Sequence, residues 1–214
     1  MNRIVAITRG IAIVALLLSV LGIAFRVQEI LHRPKKRDLS RPRGNIGQSL
    51  LYAFTLGMAP WEKESTRIHW VAYVRGILFH VGVFVALGVF LVSPWLAAIP
   101  LVLSGLALLV TAVGAVAGFA GIWMRLAEEN LRALSLPDDY FSVFLTSLFT
   151  ALAFAVLLWP VALPAFYLAA AAMLVYIPFS KIRHCVYFFY SKFFFGQSFG
   201  HRGVIGHPAS EYSE

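Results

Sequence analysis

The chain has 214 residues, 60% of them apolar and 13% Asp, Glu, Lys or Arg, with a mean hydropathy of +0.79. A soluble domain averages nearer half apolar and a quarter charged, so this composition excludes an ordinary water-soluble globule and points to an integral membrane protein. The formal charge of +8 should then report orientation in a lipid bilayer rather than nucleic-acid binding, and the single Cys185 excludes an internal disulfide and any cysteine-only metal or iron–sulfur site.

A transmembrane helix needs roughly 20 apolar residues. Five stretches qualify, at about 4–25, 73–92, 96–124, 140–159 and 163–182, and none alternates as a lipid-exposed strand would. The expected fold is an all-α bundle of five transmembrane helices in a single membrane domain. The first span carries Arg3 and Arg9 near its start, which a signal peptide would also show; its apolar run is long and no A-x-A site follows, so it reads as a retained helix. The linker 26–72 holds Arg26, Arg33, Lys35, Lys36, Arg37, Arg41 and Arg43, which by the positive-inside rule places it in the cytoplasm. Pro34, Pro42 and Gly44 suggest an irregular segment there, and 50–58 suits a short interfacial helix. Alternation puts the N-terminus outside and the tail 185–214 inside, and Lys181, Arg183, Lys192 and Arg202 support that placement independently.

An ionisable side chain inside an apolar span is costly and marks a candidate site. His80 sits within the second span and His184 at the inner end of the fifth, both toward the cytoplasmic half. Two neutral imidazoles from different helices are a ligand set for six-coordinate haem iron, whereas zinc would want more ligands than the nearby helices offer. The alternative is that each histidine bonds a neighbouring backbone or hydroxyl group and has no further role. Gly76 and Gly82 flank His80 and would let a flat macrocycle, or another helix, come close. Arg75 and Arg183 are placed by depth to pair haem propionates, or to snorkel to lipid phosphates. His69 and His201 are secondary iron-ligand candidates, which would make two haems, and a polar partner interface explains them more simply. His32 and His207 are assigned no role.

Leu78-Phe79-His80-Val81-Gly82 and Pro178-Phe179-Ser180-Lys181-Ile182-Arg183-His184 resemble the haem-ligand helices of the cytochrome b, or gamma, subunit of respiratory nitrate reductase. The five spans and the expected orientation are similar to that family too, so the resemblance covers most of the chain. Related membrane subunits occur in heterodisulfide-reductase-like and dissimilatory-sulfite-reductase-associated complexes. The nitrate reductase subunit holds a second haem on one further histidine in each of the two helices, and the corresponding positions here are Phe90 and Phe166. The resemblance therefore implies one inner haem b, bound by His80 and His184, without implying nitrate as substrate.

The same resemblance implies an electron relay between the quinone pool, menaquinone or ubiquinone, and a cytoplasmic iron–sulfur partner subunit. Aromatic residues mixed with cations in the tail, from Tyr187 to Phe195 around Lys192, suit either a docking surface or a lipid interface. Quinone chemistry moves protons, and between Gly76 and Met124 the only ionisable side chain is His80. Asp138, Asp139, Tyr73, Lys181 and Arg75 gather instead at the inner side, so a quinone site is expected there, with Tyr73 and Lys181 its leading residues. The rival classes are a non-redox anchor or assembly subunit with structural histidines, and a small transporter subunit, which the lack of buried charges and broken helices disfavours.

Overall fold

The computed structural model describes residues 3–34, 38–62 and 64–205, with Ser65 described by its backbone. Lys35, Lys36 and Arg37 of the basic linker, and His207, lie outside the described residues. In chain order the helices are α1 (Arg3–Leu31), α2 (Ile46–Phe54), α3 (Glu64–Ile68), α4 (Trp70–Val92), α5 (Leu101–Ala127), α6 (Glu129–Leu134), α7 (Pro137–Leu158), α8 (Leu163–Tyr176) and α9 (His184–His201). The described residues contain no strand. Five segments are long and apolar enough to cross a membrane: α1, α4 with its following turn (Trp70–Ala98), α5, α7, and α8 with its flanking turns (Pro160–Phe179). The chain is an all-α, multi-pass membrane protein.

The third span, expected from 96, begins at Leu101 after a 3-10 turn over Ser93–Ala98, and two other boundaries shift by six residues. α1 continues past Phe25 to Leu31, because Arg26, Gln28 and Glu29 are good helix formers and no breaker intervenes before Pro34. The fifth span stops being an α-helix at Tyr176 rather than continuing to Ile182: 3-10 turns occupy Ile177–Phe179 and Lys181–Arg183. Pro178 has no N–H to donate and its ring clashes with the carbonyl four residues earlier, which ends the helix.

The chain divides into two compact units, Met1–Arg26 with Val71–Arg183, and Val27–Trp70 with His184–Glu214. In the first, α7 packs against both α5 and α8. Phe149 of α7 stacks on Phe166 of α8 with centroids 5.2 Å apart, and both are fully buried. α4 and α5 approach backbone to backbone, since a Cβ added at Gly82 or Gly114 would stand 2.5 Å from the other's Cα. α1 joins α7 and α8 along a shallow apolar groove of about 510 Å³ lined by Ile11, Val14, Leu18, Phe141, Leu145 and Val175 among others. Hydroxyls inside the helices turn back on their own carbonyls, Thr111 to Ala107, Ser147 to Val143 and Thr150 to Thr146 at 2.6–2.8 Å, as a solvent without hydrogen bonds requires.

In the second unit α2 packs on α9. Asn45 caps α2 by accepting the Gln48 N–H at 3.1 Å. Gly196 and Gly200, one turn apart on α9, take the close approach: a Cβ at Gly196 would meet Leu50, and one at Gly200 would meet Ile46 and Ser49. Phe54 packs on Phe188 and Phe189, and Lys192 lies 5.8 Å from the Phe188 ring centre, a cation–π distance.

Candidate functional site

His80 lies in the middle of α4 and is exposed. Its Nδ1 donates to the Gly76 carbonyl at 2.7 Å. A carbonyl only accepts, so Nδ1 carries the proton and Nε2 is the nitrogen whose lone pair can bind a metal. A backbone acceptor on the second ring nitrogen is how metal-ligating histidines are commonly oriented. Tyr73 and Gly76 share this stripe of the helix, seven and four positions earlier, as do the exposed Ile77 and Phe84. A Cβ added at Gly76 would meet nothing within 4 Å, so a flat group has room beside His80.

Arg75 and Gly82 take other roles. Arg75 stands five positions before His80, about 140° round the helix, toward α5. There its Nη1 donates to the Ala117 carbonyl at 3.2 Å, and its Nε is buried without a partner. Gly121 supplies the space, since a Cβ at that position would collide with the guanidinium. Gly82, buried against Gly114, is a helix-packing glycine. The small-residue explanation therefore accounts for Gly82, and Arg75 does not share the His80 face.

Phe90 and Phe166 meet in the core. Their centroids are 6.2 Å apart, edge to face, and Phe149 and Tyr167 pack around them. Ser93 hydrogen-bonds the Tyr167 hydroxyl at 2.8 Å and the Phe90 carbonyl at 2.6 Å, tying the end of α4 to α8. Close-packed aromatics occupy the region between these two helices, and no imidazole is present there.

The carboxylates at the start of α7 form a network. Asp138 accepts from the Tyr176 hydroxyl, from Ser142 at 3.0 Å and from the Lys181 backbone N–H at 2.9 Å. Asp139 accepts the Lys181 ammonium on both oxygens, at 2.6 and 2.7 Å, and the Leu136 N–H at 2.8 Å, which with Pro137 starts α7. Lys181 thus fastens the turn after α8 to the start of α7. Beside this network lies an open hollow of about 700 Å³ lined by Ile122, Pro137, Asp138, Tyr140, Phe141, Phe144 and Tyr176. Of the five residues expected to gather, Asp138, Asp139 and Lys181 are joined here, while Arg75 bonds α5 and Tyr73 lies on α4. Tyr176, Ser142 and Tyr140 are additions, and the Pro137-Asp138-Asp139 helix start was the one sequence signal near them. A carboxylate offers about four acceptor positions, of which Asp138 uses three.

The other histidines belong to the second unit. His184 opens α9 and is exposed. It follows the 3-10 turns instead of ending a continuous fifth helix. His201 donates from Nε2 to the Ser40 carbonyl at 2.8 Å, and His69, between α3 and α4, is exposed. His32 bonds the Gln28 carbonyl at the end of α1. Among the described residues, no three His, Cys, Asp or Glu side chains converge as a metal site. Compared with models of protein families, with curated proteins and with solved structures, the chain matches none.

Proposed function

We propose that this chain is a haem b-carrying electron-transfer subunit of a quinone-dependent oxidoreductase complex in a prokaryotic cytoplasmic membrane, with its N-terminus outside and its C-terminus inside. The observation that carries the reading is His80: an imidazole in the middle of an apolar transmembrane helix, exposed beside open space, with its tautomer set so that Nε2 can ligate. Intramembrane histidines are expensive and mark candidate sites, and the bond to the Gly76 carbonyl is one that a ligating and a structural histidine both make. His184 is the second ligand we assign, as the resemblance to the nitrate reductase cytochrome b subunit implies, with Arg183 beside it for a propionate. Bound haem b supplies a one-electron relay. The filled aromatic core at Phe90 and Phe166 favours one haem over two.

The quinone site in this reading is the hollow at Asp138, Tyr140 and Tyr176, in place of Tyr73 with Lys181, whose ammonium is committed to Asp139. Phe141 and Phe144 offer flat walls for a headgroup. Quinone turnover exchanges two protons with two electrons, and Asp138, hydrogen-bonded to Tyr176, is the carboxylate that borders the hollow. The electrons pass to or from a cytoplasmic iron–sulfur subunit, and the soluble reaction belongs to other chains.

His80→Ala and His184→Ala test the assignment. Both variants should insert and fold, while haem retained on purification falls to background. Full retention by either would overturn the ligand pair. A non-redox anchor is the second reading, favoured by the α4–α5 seam, which Gly82, Gly114 and Arg75 complete without any cofactor; it predicts a wild-type chain that carries no haem.

A further inference from the structure

Within the second unit, the segment 38–44 folds back on the C-terminal end of α9. Three bonds hold it: the Arg43 N–H to the His201 carbonyl at 2.8 Å, His201 Nε2 to the Ser40 carbonyl at 2.8 Å, and Arg202 Nε to Asp38 at 2.9 Å. Asp38 also accepts the Ser40 N–H at 3.0 Å. Gly44 and Gly203 make the approach possible, since a Cβ at Gly44 would stand 2.6 Å from the Gly203 Cα, and Gly203 takes a φ of +70°. The result is a hollow of about 340 Å³ lined by Ser40, Arg41, Arg43 and Arg202.

Three guanidinium groups dominate the lining, against the single carboxylate of Asp38, which the Ser40 hydroxyl also hydrogen-bonds. Guanidinium forks match the paired oxygens of a phosphate. A helix C-terminus ordinarily repels anions, but here its last carbonyls are already covered. Ser198 accepts from Arg202, Phe199 from Val204, Gly200 from Gly203 and His201 from Arg43. Two exposed apolar side chains flank the cations, Leu39 at 87% and Val204 at 60% exposure. A soluble phosphate has no use for them, whereas a lipid does. The chain is a multi-pass membrane protein, and cation clusters next to transmembrane helices attract anionic headgroups.

We propose that Arg41, Arg43 and Arg202 bind the phosphate of an anionic phospholipid, and that Leu39 and Val204 meet its apolar part. The inference is independent of the haem reading.

The test uses the full chain in detergent micelles doped with phosphatidylglycerol or phosphatidylcholine, with bound lipid counted by native mass spectrometry. Wild-type protein should retain phosphatidylglycerol in preference to phosphatidylcholine. Arg41→Gln, which removes no hydrogen bond that holds the segment, should weaken that retention roughly fivefold, and Arg41→Lys should restore part of it. Arg67→Gln, an exposed cation of the same unit outside the hollow, should leave retention unchanged. Equal retention of the two lipids, or an equal effect of Arg67→Gln, would overturn the proposal. So would protection by inorganic phosphate without any lipid preference, which would identify a soluble-phosphate site instead.

Discussion

Arg75 is a cation held inside a helix pair by one backbone carbonyl, with its Nε unpartnered. Burying a charge with incomplete hydrogen bonding is costly, and replacing it by an apolar side chain of similar volume is often neutral or stabilising. Arg75→Met should therefore leave the thermal midpoint of the detergent-solubilised chain unchanged or raised, and should leave haem content unchanged, because the side chain faces α5 and not the His80 stripe. A parallel loss of haem in this variant would return Arg75 to the cofactor shell. Nothing in the sequence around Arg75 announced this orientation, since the space it occupies is provided by Gly121, 46 positions later on another helix. His80 was legible because an imidazole in an apolar run needs no partner sequence to stand out.

At the scale of elements, the break after α8 and the lacing of α9 are the informative features. The apolar run alone could not reveal that the fifth helix ends at Tyr176, because Ile177, Phe179 and Ile182 continue the hydropathy pattern; Pro178 was the one local stop signal. The tail 185–214 contains nearly all of α9, whose Gly196 and Gly200 weaken a helix in isolation and are where α2 lies on it. The interfacial helix expected over 50–58 forms instead over Ile46–Phe54, where Asn45 caps it. Asp138→Asn should loosen the turn at 177–183 by about 1–2 kcal/mol, since it weakens the charge-assisted acceptor shared by Tyr176, Ser142 and the Lys181 N–H. In reconstituted membranes it should also slow quinol oxidation by about a hundredfold with haem content intact. Unchanged turnover with a loosened turn would make the network purely structural.

The tie at Asp38 carries a pH dependence. Hydrogen bonds from the Ser40 side chain and backbone, then from Arg202, hold its carboxyl well below the usual carboxylate range. A folded pKa depressed below the unfolded one adds stability above the unfolded value, near 3.8, which is lost as pH falls toward the folded value. Amide exchange at the C-terminal end of α9 should accelerate on acidification through that window. In Asp38→Asn it should be fast already at neutral pH and lose its acid dependence. The exposure of the pair keeps the effect local.

For the whole molecule, composition and span length were enough to give the fold class, because a bilayer admits only helices or closed barrels and the apolar runs have helical length. The division into two units was not legible. It depends on contacts between residues 38–54 and 184–203, which are distant in sequence and carry no shared motif. The proposal is one haem b per chain, with His80 and His184 as its ligands. The direct measurement is a reduced-minus-oxidised visible spectrum of the purified wild-type chain, with extractable haem quantified per polypeptide. One equivalent with low-spin b-type bands is expected. No haem would contradict it in favour of a structural anchor, and two equivalents would contradict the single-haem assignment and bring His69 and His201 back as ligands.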